Sequence, residues 1–358
     1  MPRWMLPRST PGSQVPLPTV SVVVPCYNYG RYLPQAVHSV LDQPGVAVDV
    51  LIVDDCSTDG SQAVAQELAD ANPRVKVLLH ERNAGHIATY NEGLSRARGE
   101  YVVLLSADDL LAPGSLGRAT GLMRANPTVG LVYGHPQDFV DTPPEFIGRR
   151  SSWTVWNGVG WIRRLCRRGG NVILSPEAVV RTDIMRRLVG YRADMPHEAD
   201  MELWLRIAAV SDVGRINGPD QAYYRDHGAN MHHGRSEGLW LADLQARTNV
   251  FDTFFAEHPT VASRIGDRAH HAARRALANE ALRRARMAAL ADGGSSASAQ
   301  ELAGFARQVC PEIVSTLAWR QFDHYQSISS SGALAGADRA LNRIVESYRW
   351  RRWRVTGT

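Results

Sequence analysis

The stretch YVVLLSADDLLAPGSL, residues 101–116, decides the fold. Its first five residues are apolar without alternation, the pattern of a strand covered on both faces. Two adjacent carboxylates, Asp108 and Asp109, follow at once. Like charges at the end of an apolar strand repel each other and resist desolvation, so the pair calls for a cationic partner. Three earlier runs have the same form: TVSVVVPCYN (19–28), VDVLIVDDCSTDGS (48–61) and RVKVLLHERN (74–83). Between them lie stretches with helical spacing, GRYLPQAVHSVLDQ (30–43), SQAVAQELADAN (61–72) and IATYNEGLSRARG (87–99). Ser or Asp is expected to cap the second of these, and Gly99 to close the third as its C′ residue.

Continuously apolar strands alternating with helices predict an α/β fold with a mainly parallel sheet flanked by helices. In such sheets ligands bind beyond the carboxyl ends of the strands. Polar residues gather there: Tyr27 and Asn28, Asp54 and Asp55, His80 to Asn83, Asp108 and Asp109. Turn chemistry alone would also place Asp and Asn at strand ends, but it does not account for carboxylate pairs at two of them.

Downstream, VGLVYGHPQDFVD (129–141) reads as a further strand and PHEADMELWLRIAAV (196–210) as a helix. Met201, Trp204, Leu205 and Ala208 form its apolar face, with Glu202 and Arg206 as an i,i+4 pair. From about Ser236 the chain turns rich in Ala, Arg and Leu, an all-helical composition. The expected organisation is a disordered tail at 1–18, an α/β domain at 19–235 with halves at 19–115 and 116–235, and a helical C-terminal region at 236–358.

Composition is that of an ordinary globular protein: 358 residues, 44% hydrophobic, 21% charged, net charge +4. The basic residues are almost all arginine, with Lys76 the one lysine. Four scattered cysteines argue against a structural zinc site or a disulfide framework and for a reducing cytoplasm. No apolar run reaches membrane-spanning length.

The quoted strands, together with ERNAGHIATYNEGLSRARGEYVVLLSADDLLAPGSL (81–116) and HEADMELWLRIA (197–208), resemble family 2 glycosyltransferases of the GT-A (Rossmann-like) fold. The likeness runs over roughly 19–233. It implies an inverting enzyme that uses a nucleotide-sugar donor and Mn2+ or Mg2+. By this resemblance Pro25, Tyr27 and Asn28 border the nucleotide, with Tyr27 able to stack on the base. Asp55 accepts an imide N–H of uracil or thymine, Asn83 belongs to the loop under the nucleotide, and His86 lies near the donor. Ala107-Asp108-Asp109 occupies the place of the family's DXD motif, its first Asp replaced by Ala. Asp109 is then the metal ligand, and Asp108 holds the ribose hydroxyls or a metal-bound water. Asp200 matches the catalytic base; because Ala199 replaces the preceding Glu, Glu198 competes for that role. His227 stands where some members supply a His to the metal or diphosphate, with His232 and His233 as weaker candidates. Ser175, Pro176, Trp153 and Trp156 could line an acceptor pocket.

UDP-sugar is slightly favoured over dTDP-sugar as donor. The acceptor is expected to be a glycan, a lipid-linked sugar or a natural product. The rival readings are a metal-dependent nucleotidyltransferase, which lacks its Gly-rich phosphate loop here, a GxGxxG dehydrogenase, which CYNYGRY does not match, and a catalytically silent binding module. The tail SYRWRRWRV (347–355) suits packing or a homodimer contact, and secondarily an anionic membrane surface. The expected location is cytoplasmic, with that peripheral contact at the inner face; no nucleic-acid partner is expected.

Overall fold

The protein is described by a computed structural model covering residues 16–228, 237–291 and 297–327, with single positions at 344, 347, 353 and 357. The first half alternates as the apolar pattern demands: β1 (Thr19–Cys26), α1 (Leu33–Leu41), β2 (Ala47–Asp54), α2 (Ser61–Ala71), β3 (Val75–Leu79), α3 (His86–Arg96) and β4 (Tyr101–Leu104). Then come β5 (Leu110–Leu111), α4 (Ser115–Ala125), β6 (Val129–Phe139), β7 (Ser152–Trp156), α5 (Gly158–Arg168), β8 (Val179–Arg181), α6 (Thr182–Arg187), α7 (Ala199–Val210) and β9 (Asp212–Arg225). The helices α8 (Glu237–Glu257), α9 (Pro259–Ile265), α10 (Asp267–Ala291), α11 (Ala297–Val309) and α12 (Leu317–Ser327) follow.

All strands join one sheet in the order β3-β2-β1-β4-β8-β6-β9-β5, with β7 on β9. The first four pair in parallel. The three-residue β8 is antiparallel to both β4 and β6, and β6 runs parallel to β9. The sheet is thus mainly parallel but mixed at its centre. Both faces are covered. Val20, Val22 and Val24 pack with α1 and α4 on one side, while Val23, Val53 and Val102 face the other. On that second face α3 lies so close that a Cβ on Gly93 would sit 2.3 Å from Val23.

Two local expectations are corrected. The N-cap of α2 is Gly60 in the left-handed region (φ +90°), not Ser or Asp; Asp59 still accepts from the amide of Ser61 at 3.0 Å. Gly99 is not the C′ residue of α3, which ends at Arg96 with extended Ala97 as its cap. Gly99 is there because β1 passes it: a Cβ would meet the Ser21 nitrogen at 2.7 Å.

The C-terminal helices share the core of the second face. Ala273, Leu277, Ala281, Ala285 and Ala288 of α10 are buried at helical spacing, in one apolar cluster with Trp161 and Leu165 of α5 and Trp204 of α7. Trp353 is buried in that cluster as well. Its ring lies under the Arg215 guanidinium, which also donates to its carbonyl, and Tyr133 donates to the Gly357 carbonyl at 2.6 Å. These contacts are those of a packed tail; Tyr348 and Trp350 lie outside the described residues. Among the described residues no helix is long and apolar enough to cross a membrane, and all four cysteines are free.

Candidate active site

The carboxyl ends of β1, β2 and β4 carry the predicted residues. After β1, Tyr27 is 48% exposed, a free ring face at the rim. Asn28 takes the left-handed conformation (φ 60°), which Asn tolerates better than most residues. Its Oδ1 accepts from the Thr58 amide at 2.7 Å, tying the end of β1 to the loop after β2. Pro25, half-buried, closes β1 opposite Val53.

Asp55 is buried and clamps the loop before α3. Its Oδ1 pairs with His80 Nδ1 at 2.8 Å and accepts the Ala84 amide at 2.7 Å, and its Oδ2 accepts the Gly85 amide at 3.0 Å. Burial alone would raise this carboxyl; the bonds from Ala84, His80 and Gly85 outweigh it and hold Asp55 below its usual range. It is therefore an anion with an acceptor position left on Oδ2. Asn83 completes the clamp by donating to the Asp55 carbonyl at 3.2 Å. His80, placed by the sequence at this rim without a role, also meets Glu92 at 3.1 Å through its other nitrogen.

At the end of β4, Asp108 and Asp109 are buried. They do not cap the next helix: the N-cap of α4 is Gly114, with no side-chain bond. Asp109 Oδ1 accepts the Arg225 amide at 2.9 Å, and Asp108 Oδ2 lies 3.0 Å from His227 Nε2. The His227 ring stacks on Tyr32. Burial, reinforced by the adjacent Asp108 charge, pushes Asp109 well above the usual carboxylate range. A divalent cation would remove that penalty. The oxygens fit one: Asp108 Oδ1 and Asp109 Oδ2 have no hydrogen bond among the described residues, and hard cations prefer carboxylate oxygen. The described residues hold no preassembled group of three or more His, Cys, Asp or Glu ligands, so donor phosphates would have to complete the shell.

Asp200 is the second residue of α7, where the helix terminus favours an anion. It is no N-cap; its Oδ2 accepts from Ser175 Oγ at 2.5 Å. Burial raises it, while Ser175, Tyr191 and His86 offset part of the rise. The Tyr191 hydroxyl lies beside it without a well-formed hydrogen bond. Glu198 is the N-cap position, its side chain making no cap bond. His86 is drawn toward this side as well: its Nε2 reaches the Pro196 carbonyl at 3.3 Å.

Two residues absent from the predicted set bridge the halves. Tyr90 of α3 is raised first by burial and then by the fields of Asp200, Asp108 and Asp109. Glu177 is buried, and its field reaches Asp109 while that of Asp200 reaches it. Tyr90 thus feels acids from both the β4 end and α7, and Glu177 feels Asp200 and acts on Asp109. Trp153 and Trp156 do not join this group. They lie on β7 against Val213–Asn217 of β9; Arg215 and Arg225 of β9 pair with Tyr133 and Phe139 of β6, six residues apart, so the two ends are separated by roughly 20 Å at about 3.3 Å per residue. Trp156 instead stacks on Tyr133, and Trp204 is core, as its helical position implies. His232 and His233 lie outside the described residues.

Residues 21–186 match the family described as Glycosyl transferase family 2. This segment is a family 2 glycosyltransferase domain. An uncharacterized glycosyltransferase of Nostoc sp. is 29% identical over 218 residues, 60% of this chain and 66% of that protein. The succinoglycan biosynthesis protein ExoO of Rhizobium meliloti is 38% identical over 102 residues, 28% of this chain and 29% of its own length. The chain therefore spans just under two thirds of the first relative and less than a third of the second. Residues 1–349 of S. aureus TarS superpose with a TM-score of 0.56 at 19% identity, covering 86% of this chain and 89% of that one. The same TarS segment in complex with UDP-GlcNAc gives 0.52 at 15% identity. At these identities the likeness carries the fold: the glycosyltransferase domain has the GT-A architecture.

Proposed function

We propose that the protein transfers a sugar from a nucleoside-diphosphate sugar to a hydroxyl of an acceptor with inversion at the anomeric carbon. The observation that supports this is that Tyr90 feels Asp108 and Asp109 as well as Asp200, while Ser175, in the turn of Glu177, bonds Asp200. Asp55, anionic and with an acceptor position left, suits a base bearing a ring N–H, hence uracil, thymine or guanine. UDP is the preferred choice, in keeping with the UDP-GlcNAc bound by the structurally similar TarS. Tyr27 offers its face to the base, and Asn28, Asn83 and Pro25 frame that pocket.

Asp108 and Asp109 would hold Mn2+ or Mg2+, with His227 beside Asp108. When bound, such a cation offsets the charge that the departing diphosphate gains. On the opposite side Asp200 is the base. Ser175 occupies Oδ2 and fixes the carboxylate, leaving Oδ1 to accept the acceptor's hydroxyl proton. The acceptor oxygen then bonds to the anomeric carbon as the carbon–phosphate oxygen bond breaks and its electron pair leaves with the nucleoside diphosphate. The proposed boundary between glycosyltransferase and helical regions is near residue 235, with the helices serving acceptor binding or a homodimer contact. The acceptor class stays as glycan, lipid-linked sugar or natural product.

Release of UDP, dTDP or GDP from a panel of sugar nucleotides with Mn2+ tests the reading. Turnover should be lost in Asp109→Ala and fall by about 10²- to 10⁴-fold in Asp200→Asn. Nucleotide binding with no turnover in the wild type, across a broad acceptor panel, favours the silent binding module.

A further inference from the structure

We propose that Glu177 determines donor specificity: its free carboxyl oxygen takes a hydroxyl of an uncharged sugar held between Asp109 and Asp200. This deepens the nucleotide-sugar reading and rests on it.

Glu177 is 3% exposed and sits in the turn leading into β8. The turn is fixed. Ser175 stands at φ 93°, the Ala178 amide donates to the Ser175 carbonyl at 2.9 Å, and the Leu174 amide donates to Glu177 Oε1 at 2.8 Å. One carboxyl oxygen is thereby tethered and the side chain orientation set. The other, Oε2, is out of solvent and has no hydrogen-bond partner among the described residues. Buried polar atoms are rarely left so, and an orphan at this depth marks a place where a bound group completes the bonding.

Comparison with the other buried glutamate sharpens the point. Glu202 gives both oxygens to Arg206, each at 2.7 Å. Glu177 has no such cation; the charged groups that bear on it are Asp200 and Asp109. Burial, with Asp200 adding to it, pushes its carboxyl up to about 8. Near neutral pH it therefore carries a proton and can both donate and accept, as a sugar hydroxyl requires. Its turn also carries Ser175, which bonds the proposed base Asp200, so Glu177 borders the side of the space where the transferred sugar must meet the acceptor. Three carboxyl groups around that space disfavour a sugar bearing its own carboxylate.

The test is calorimetric titration of the full chain with Mn2+ and UDP, dTDP or GDP, each set beside its neutral sugar conjugates and, for UDP, UDP-glucuronate. The quantity read is how much tighter the sugar nucleotide binds than the bare diphosphate. For the preferred neutral sugar this gain should fall roughly tenfold in Glu177→Ala, about the worth of a buried hydrogen bond. It should stay within about threefold in Glu177→Gln, which keeps shape and hydrogen-bonding capacity, while affinity for the bare diphosphate is unchanged in both. UDP-glucuronate should bind no more tightly than UDP. An unchanged gain in Glu177→Ala, a wild type with no gain for any sugar, or a preference for glucuronate overturns the proposal while leaving the nucleotide reading standing. Loss of melting temperature in Glu177→Ala with sugar preference intact does the same, by assigning a structural role. Failure of the wild type to bind any of the three nucleotides overturns both.

Discussion

Glu280 in the helical region and the acids around the proposed sugar space are treated in opposite ways. In the helical region Glu280 of α10 lies 2.6 Å from Arg284, 3.4 Å from Arg247 of α8 and 3.8 Å from Arg283. Burial would raise it, but Arg247 and Arg284 prevail and lower it to about 2. In the proposed active site Asp109 and Glu177 are buried and Asp200 half-buried, and all three are raised. An acid whose task is to join helices is matched by arginines within the fold. An acid left unmatched carries a standing cost that a ligand can relieve.

The largest test of this contrast is Asp200→Asn. Removing a general base costs about 10²- to 10⁴-fold in kcat, and nucleotide affinity should hold. Initial-rate kinetics beside a binding titration separate the two. Next, Arg247→Ala should destabilise the protein by about 3–5 kcal/mol, the range for breaking a buried ion pair, measured by denaturant unfolding. At a temperature where it is folded, its activity should be close to wild type. Equal losses of activity and stability in both variants would erase the distinction.

The two regions also predict opposite pH slopes. Glu280 is depressed, so its contribution to stability is present above its unfolded value of about 4.5 and is lost as pH falls toward 2. Glu177 is raised, so its folded form binds a proton that the unfolded chain has released. Its contribution is full below about 4.5 and is lost as pH rises through about 8. Melting temperatures from pH 3 to 9 should show a weaker acid loss in Glu280→Gln and a weaker alkaline loss in Glu177→Gln. The smallest effect is expected from Ser175→Ala. It removes one donor to Asp200 at 2.5 Å, which helps offset that residue's upward shift. The acidic limb of the rate profile should move to higher pH, with a several-fold rate loss at neutrality.

The fold's first half was legible because each strand from β1 to β4 is a local apolar run and each connection a local helix. The positions of Asp108, Asp109 and Asp200 in the fold were legible for a related reason: they sit at the ends of strongly patterned elements, β4 and α7. Glu177 and Tyr90 were not. Glu177 lies in a turn before a three-residue strand, and nothing in SPEAVV announces that β8 will insert between β4 and β6. Tyr90 reads as an ordinary helical aromatic until its neighbours from β4 and α7 are known. Trp153 and Trp156 misled in the other direction, since aromatic composition does not reveal which end of β9 a strand will join. Gly99 misled because helix ends and close approach use the same residue, and the α2 cap was missed because Asp59 and Ser61 flank Gly60.

The packing of Trp353 and Gly357 on Arg215 and Tyr133 bears on the order of assembly. These partners are separated by 138 and 224 positions along the chain. Chain emerging from a ribosome can set β1 to β4 and their helices early, since those contacts are near neighbours. The β6–β9 layer must wait for residues made much later. A chain stalled during synthesis past α7 but short of Trp353 should therefore carry a protease-resistant amino-terminal half and a still cleavable segment around Arg215.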